Sequence, residues 1–244
     1  MATYSLGEIK NSVPPIVQQR TINPGTQLDT FEFLTSGGNI NLSITNISGG
    51  GNVNLSLFHD ANGNGSLDQN DTFLGSSGRN NQLDESLNIN GSTLQGKFFA
   101  RVSKQVVFGV GEIPVSYKFS ASLNSFSDLL PEENTLGTIS QDTTRSGAVG
   151  DLDTTDVYSF SVNQNDLIRI KLSKQGGNTR LRLIEDRNQN QQVDSSDRVI
   201  AGFNQIVARG RFNGPAINYL LQVQQVSGET NYQVTFDRSP FSTT

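Results

Sequence analysis

Apolar and polar residues alternate over short runs along nearly the whole chain. Ile40, Leu42 and Ile44 are spaced by Asn41 and Ser43. Leu167, Ile168, Ile170 and Leu172 are interrupted by Arg169 and Lys171, and Leu181 and Leu183 bracket Arg182. Tyr219, Leu221 and Val223 follow the same rule, as do Tyr232, Val234 and Phe236. A period of two marks half-buried strands, because successive side chains point to opposite faces of a sheet. No stretch keeps a helical period for more than a turn or two. Clusters of turn residues separate the runs: Ser48-Gly49-Gly50-Gly51, Gln175-Gly176-Gly177-Asn178 and Asn213-Gly214-Pro215. Many short strands punctuated in this way predict an all-β chain of antiparallel sandwich type.

The strand pattern occurs twice. Ser5 to Ile9 returns as Thr135 to Ile139, and Asp29-Thr30-Phe31-Glu32-Phe33 returns as Asp156-Val157-Tyr158-Ser159-Phe160. Leu55 to Gly75 aligns with Leu181 to Ala201 without a gap. Phe98 to Val102 matches Tyr219 to Val223, and Tyr117-Lys118-Phe119 matches Tyr232-Gln233-Val234. The blocks keep their order, which chance matches would not do. The expectation is two tandem antiparallel β-sandwich domains, residues 1–123 and 135–244, joined by a linker at 124–134 that carries Pro131, Glu132 and Glu133.

The ungapped block contains the candidate chemistry. Residues 60–71 and 186–197 both read D-x-N-x-N-x-x-x-D-x-x-D. Counted from the first aspartate, oxygen-bearing side chains fall where an EF-hand loop places its calcium ligands. In the first loop these are Asp60, Asn62, Asn64, Asp68 and Asp71, with the carbonyl of Ser66 at the seventh position. In the second they are Asp186, Asn188, Asn190, Asp194 and Asp197, with the carbonyl of Gln192. Calcium is a hard ion that takes six to eight oxygens, and alternate residues of a tight loop direct theirs to one centre. Gly65 stands where the sharp turn is needed, whereas the second loop has Gln191 there and must take an unfavourable left-handed φ or distort the turn. Leu67 and Val193 are candidate apolar plugs. Asparagines at two ligand positions, and an aspartate where a bidentate glutamate is usual, point to affinities of about 10⁻⁴–10⁻³ M. The flanking residues alternate as strands, so each loop should join two strands rather than two helices. A pair of metal-free Asn/Asp turns is the competing reading.

Composition narrows the function. The chain of 244 residues holds 27 Ser, 25 Asn and 24 Gly, with only 17% charged residues and a net charge of −5. That excess of small polar residues suits turns and strands. The acidic balance argues against a nucleic-acid partner. With no cysteine and a single histidine, His59, disulfides, thiolate sites and multi-histidine metal sites are excluded. The first residues, Met1 to Gly7, show neither a basic nor an apolar signal segment, and no run is long enough for a membrane helix.

The strand Asp156 to Val162, the lead-in Leu181 to Asp186, and the closing motifs Tyr219 to Val223 and Tyr232 to Val234 resemble the bacterial pre-peptidase C-terminal (PPC) domain family. Weaker versions stand at Asp29 to Phe33, Leu55 to Asp60, Phe98 to Val102 and Tyr117 to Phe119. The resemblance implies jelly-roll-like sandwiches attached to secreted peptidases or surface proteins. Related collagen-binding modules bind calcium and a fibrous substrate. The peptidase that usually accompanies such domains is missing from this sequence.

These observations predict a non-catalytic, calcium-binding tandem module of a secreted or surface bacterial protein. The alternative is an adhesion or targeting module for an extracellular protein, matrix or polysaccharide, with structural calcium. Asp151, Asp153 and Asp156 form a second acidic cluster, read as a solvated turn in preference to a further metal site. His59 has Glu185 as its counterpart in the second copy and no G-x-S-x-G element accompanies it, which argues against catalysis. Carbohydrate binding lacks aromatic platforms: there is no Trp, and Tyr117, Tyr158, Tyr219 and Tyr232 lie in core-patterned strands, leaving Tyr4.

Overall fold

A computed structural model describes residues 2–11, 14–80, 82–105, 113–124, 131–202 and 204–240. The chain divides into two compact units, Met1–Pro131 and Glu132–Thr244. The division falls inside the segment 124–134 expected to be a linker. Glu132 and Glu133 already belong to the second unit. The Glu133 amide donates to the Val157 carbonyl, and its carboxylate accepts from the Val157 amide. Residues 125–130 lie outside the described residues.

The first unit holds strands β1 (Ala2–Glu8), β2 (Ile16–Ile22), β3 (Leu28–Thr35), β4 (Asn39–Ser48), β5 (Asn52–His59), β6 (Thr72–Ser77), β7 (Glu85–Asn90), β8 (Gly96–Gln105) and β9 (Val115–Ser122). They form a five-stranded sheet in the order β1-β3-β8-β5-β6 and a four-stranded sheet in the order β2-β9-β4-β7. The inward residues of both sheets meet in one core of Phe31, Phe33, Ile40, Leu42, Ile44, Leu55, Leu57, Phe98 and Phe119, all essentially sealed from water. Phe31 of one sheet stacks on Phe119 of the other, with centroids 4.1 Å apart and rings nearly parallel. Tyr4 stacks on Phe31 at 5.3 Å, so the one tyrosine left over by the strand pattern is a core-edge residue and not an exposed platform.

The second unit holds β10 (Asn134–Thr138), β11 (Thr143–Val149), β12 (Thr155–Val162), β13 (Asp166–Glu185), β14 (Arg198–Ala201), β15 (Gln205–Arg209) and β16 (Ile217–Pro240). Here the expected turn at Gln175 to Asn178 is not a break. Residues 166–185 run as one strand and 217–240 as another, paired along their length from Asp166↔Pro240 to Glu185↔Tyr219. The sheet bends where the register shifts at Gly176 and Asn178. Gly176 has φ +102°, and a Cβ there would stand 2.6 Å from the Glu229 carbonyl oxygen. Gly177 has the same problem against Ser227, at 2.2 Å. The glycines therefore let two backbones cross closely inside a bent strand pair instead of ending a strand. In the first unit, Ser48 to Gly51 does interrupt the chain between β4 and β5.

Despite that difference the strand paths correspond. One half of β13 and β16 lies with β10, β12 and β14, and the other half with β11 and β15. This reproduces the neighbours of the two sheets of the first unit. The pairing is antiparallel except at one edge of each unit, where β1 lies parallel to β3 and β10 parallel to β12. Both edge strands shift register at a left-handed glycine, Gly7 or Gly137, which carries the chain on to a buried Ile9 or Ile139.

Glu85 is a buried carboxyl in the first unit. Burial pushes its pKa up to about 7, against the hydrogen bonds it accepts from the Ser77 hydroxyl and the Arg79 amide. The unfolded chain releases this proton near the ordinary value of 4.5, before the folded chain does. Stability of the first unit should therefore fall as pH rises from 4.5 through about 7. Thermal melts across that range should show a Glu85→Gln variant losing less stability with rising pH than the parent; identical slopes would contradict the assignment. Because each unit closes its own core, residues 1–131 and 132–244 expressed separately should each give a cooperative melt. Non-cooperative unfolding of both pieces would overturn the division.

Candidate functional site

Each acidic loop hangs between two paired strands, as the flanking alternation predicts. The first joins β5 to β6, whose last and first residues pair as His59↔Thr72, and the second joins β13 to β14 at Glu185↔Arg198. The entry is fixed by the neighbouring strand. The Asp60 amide donates to the Lys97 carbonyl at 3.0 Å, and the Asp186 amide to the Asn218 carbonyl at 3.0 Å. The exit closes with a turn in which the Asp71 amide reaches the Asp68 carbonyl and the Asp197 amide reaches that of Asp194.

Within this frame the side chains turn inward in the same way in both loops. Asp60 accepts from the amides of Asn64 (3.1 Å) and Gly65 (2.8 Å), and Asp186 from those of Asn190 (3.3 Å) and Gln191 (3.1 Å). Asn62 and Asn64 each accept from the amide two residues on, forming two consecutive Asx turns, and Asn188 and Asn190 do likewise. The Asn64 carboxamide donates to Asp68 at 2.6 Å, and Asn188 and Asn190 both donate to Asp194, at 3.0 and 2.9 Å. Asp71 and Asp197 accept from the amides of Asp68 and Asp194. Backbone shape matches too. Gly63 and Gly65 have φ +68° and +77°, and Gln189 and Gln191 both have φ +58°. The left-handed turn expected at Gln191 is present, and a second one stands at Gln189. Val193 is buried, whereas Leu67 is only half-buried, so the apolar plug is better developed in the second loop.

The sequence-derived ligand positions are thus brought together, with asparagine amides rather than cations beside the carboxylates. Among the described residues no three Asp, Glu, His or Cys side chains gather closely enough to hold a metal by themselves. Completing a coordination shell needs the asparagine oxygens and the backbone carbonyls of Ser66 and Gln192. Electrostatics records the crowding. Backbone and side-chain hydrogen bonds from Asn70 and Asn64 hold the Asp68 carboxyl below the usual range. Burial pushes Asp194 up, but the donors Ser196, Asn188 and Asn190 outweigh it and leave it lowered. Asp197 is raised by burial and by its neighbours Asp194 and Asp186. In the first loop Asp71 keeps one buried carboxylate oxygen with no hydrogen-bond partner among the described residues. A buried charged acceptor left unpaired is costly, and an oxygen of this kind is one a hard cation can take as a ligand. The donor set fits calcium on these grounds.

Beside the first loop stands Lys97, whose ammonium donates to the Gly65 carbonyl and to Glu32, each at 3.1 Å. The sequence reading did not include it. Only its alignment with Asn218, one residue before the matched aromatic block, hints that the two loops differ here.

A second polar pair was also missed, although its four residues head matched blocks. The Tyr117 hydroxyl of β9 donates to the buried Asp29 of β3 at 2.7 Å, across the two sheets. In the second unit Tyr232 donates its hydroxyl proton to Asp156 and accepts from the Tyr158 hydroxyl at 2.7 Å. Burial raises Asp29 and Asp156 despite these bonds. Asp156 therefore sits in a strand and not in the solvated turn expected for the cluster Asp151, Asp153 and Asp156. Asp151 is engaged elsewhere, receiving the Gln225 carboxamide at 3.0 Å. His59 places Nε2 2.9 Å from the Gln95 carbonyl and packs on Phe98.

No protein-family model matches the chain, and no curated protein does. Solved structures similar to it share the β fold at low identity. The pre-peptidase C-terminal domain of a collagenase from Bacillus anthracis matches at 16% identity over 49% of this chain and 92% of its own, with a TM-score of 0.33. The CUB1-EGF-CUB2 domains of rat MASP-1 match at 9% identity over 96% and 99%, with a TM-score of 0.28. An archaeal virus turret assembly described as a triple jelly roll matches at 10% over 90% and 60%, with a TM-score of 0.22. The sheets packed about a core in each unit, rather than these distant likenesses, place the chain in the β-sandwich class.

Replacing Tyr117 with Phe removes one hydroxyl and leaves Asp29 buried without that donor. The variant should lose about 1–3 kcal/mol of stability at neutral pH. The loss should shrink in acid, where Asp29 is protonated in both states and no bare charge is stranded. Denaturant titrations at the two pH values check this, and an equal loss at both would show that the hydroxyl does not serve the carboxylate.

Proposed function

We propose that the protein is a non-catalytic calcium-binding module of a secreted or surface protein, built from two copies of one sandwich. Each copy holds one Ca²⁺ in its acidic loop. The observation that carries the reading is the shared loop geometry: two segments differing at seven of twelve positions turn the same oxygen-bearing residues inward from the same strand junction. The orphaned oxygen of Asp71 supports it. Asp60, Asn62, Asn64, Asp68, Asp71 and the Ser66 carbonyl would hold the first ion. Asp186, Asn188, Asn190, Asp194, Asp197 and the Gln192 carbonyl would hold the second. A bound ion would take the place of the asparagine N–H donors beside Asp68 and Asp194, with the carboxamide oxygens supplying ligands.

Calcium here serves stability. It offsets repulsion among three carboxylates in each turn. Weak, neutral-asparagine loops of this kind load where calcium is millimolar, which is outside the cell. That, with the motif resemblance, favours a secreted or surface location.

The first loop should be the stronger site. Its left-handed positions are glycines, whereas Gln189 and Gln191 take φ +58° at a cost of order 1–3 kcal/mol each. Lys97 acts against it, but Glu32 at 3.1 Å cancels most of that charge.

At ~2 mM Ca²⁺ a site with a Kd of ~0.1 mM contributes about 1.8 kcal/mol, and the weaker site contributes less. Melting temperature should rise by several degrees on adding calcium and fall back with chelator. Asp60→Ala should remove the tighter site and Asp186→Ala the weaker one, and the double variant should melt alike with or without calcium. If the parent chain shows neither a shift nor heat of binding at millimolar Ca²⁺, the loops are turns and the proposal fails.

A further inference from the structure

The first acidic loop contains two of the four Asn-Gly pairs in the chain, Asn62-Gly63 and Asn64-Gly65; the others are Asn90-Gly91 and Asn213-Gly214. Such pairs are open to an internal reaction, because glycine offers no side chain to keep its backbone nitrogen from the preceding carboxamide. The second loop has Gln189 and Gln191 at the matching positions.

Two features decide which pair reacts. The carboxamide carbon must be held over the next nitrogen and made electrophilic, and that nitrogen must be free to lose its proton. At Asn62 both hold. Its carbonyl oxygen accepts from the Asn64 amide at 3.0 Å, an Asx turn whose ring spans the 62–63 peptide and polarises the C=O, while its carboxamide nitrogen donates to Asp68 at 3.3 Å. Gly63 has no acceptor for its N–H among the described residues. The residue is exposed, so water reaches it. At Asn64 the same turn forms, but the Gly65 N–H is tied to Asp60 at 2.8 Å. At Asn90 the Gly91 N–H is tied to the Gly38 carbonyl at 2.8 Å. Among the described residues Asn213 makes no Asx turn, and its oxygen accepts from Asn165 at 3.5 Å.

We propose that Asn62 is a site of spontaneous deamidation that alters the charge of the first loop and leaves the second unchanged. The Gly63 nitrogen attacks the Asn62 Cγ and forms an N–C bond. The C–N bond to the carboxamide nitrogen breaks, and ammonia leaves with the proton the backbone nitrogen gave up. Water then opens the cyclic imide. Cleavage at the side-chain carbonyl gives an aspartyl residue at position 62, and cleavage at the main-chain carbonyl gives the isoaspartyl isomer. The net change is gain of water and loss of ammonia, with no oxidation.

The consequence for the metal rests on the calcium reading. An aspartyl product adds a fourth carboxylate and tightens the site, while the isoaspartyl product lengthens the backbone and takes its carboxyl out of place. On that reading Ca²⁺ bound through the Asn62 oxygen would restrain the carboxamide, and the loaded loop should react more slowly.

The test is to incubate the full chain in mildly alkaline buffer, with chelator and with saturating Ca²⁺, and to follow both loops by peptide mapping with isoaspartate-specific detection. In chelator, conversion at position 62 should outpace that at Asn64, Asn188 and Asn190 several-fold, and Asn62→Gln should abolish it. No conversion at 62, or equal rates at 62 and 188, overturns the proposal. Ca²⁺ should slow conversion several-fold, and calorimetry of Asn62→Asp should show several-fold tighter binding than the parent. Conversion in chelator that Ca²⁺ does not slow, in a chain that calorimetry shows to bind it, overturns the protection step. If calorimetry shows no binding at all, the modification site stands and the calcium reading falls.

Discussion

Three carboxylates confined to a turn between two paired strands repel one another, and the rest of each loop is organised around relieving that repulsion. Water cannot do it fully where the first aspartate is buried, as Asp60 and Asp186 are. Backbone amides therefore converge on that residue, and bending the chain to bring them there forces positive φ at two positions. Asparagine amides neutralise the ninth position. On the proposed calcium reading, the same turn would gather these carboxylates with the asparagine oxygens and one backbone carbonyl about a cation.

The sandwich supplies the rigidity that this crowding needs. Each loop is tied at entry to a carbonyl of the central strand beside it. Those strands, β8 and the first half of β16, lie inside their sheets with a paired strand on either side. A buried tyrosine–aspartate pair joins strands in both units, Tyr117 with Asp29 and Tyr232 with Asp156. A polar bond at these positions restricts how the strands can pair, since any slip strands a carboxylate in the core.

Much of this is legible in the sequence because period-two alternation and turn residues are local signals. The strands around Ile40, Leu55 and Leu181, the loop positions and the strand–loop–strand setting were all readable. What was not readable depends on long-range geometry. Gly176 and Gly177 read as a turn, yet they mark a close crossing, since a glycine signals permission and not direction. The parallel edges of β1 and β10 leave no pattern distinct from antiparallel ones. Asp29 and Tyr117 sit 88 residues apart in sequence, and only the packed sheets bring them together. Lys97 reaches the first loop from a neighbouring strand for the same reason.

Diffraction from crystals grown with millimolar calcium, using anomalous scattering, tests the central claim most directly. The account predicts one peak within each loop, bounded by Asp60, Asp68 and Asp71 and by Asp186, Asp194 and Asp197. The Asn62, Asn64, Asn188 and Asn190 oxygens should face the ion in place of their N–H groups. Loops with no anomalous peak, and with asparagine amides still donating to Asp68 and Asp194, would contradict it.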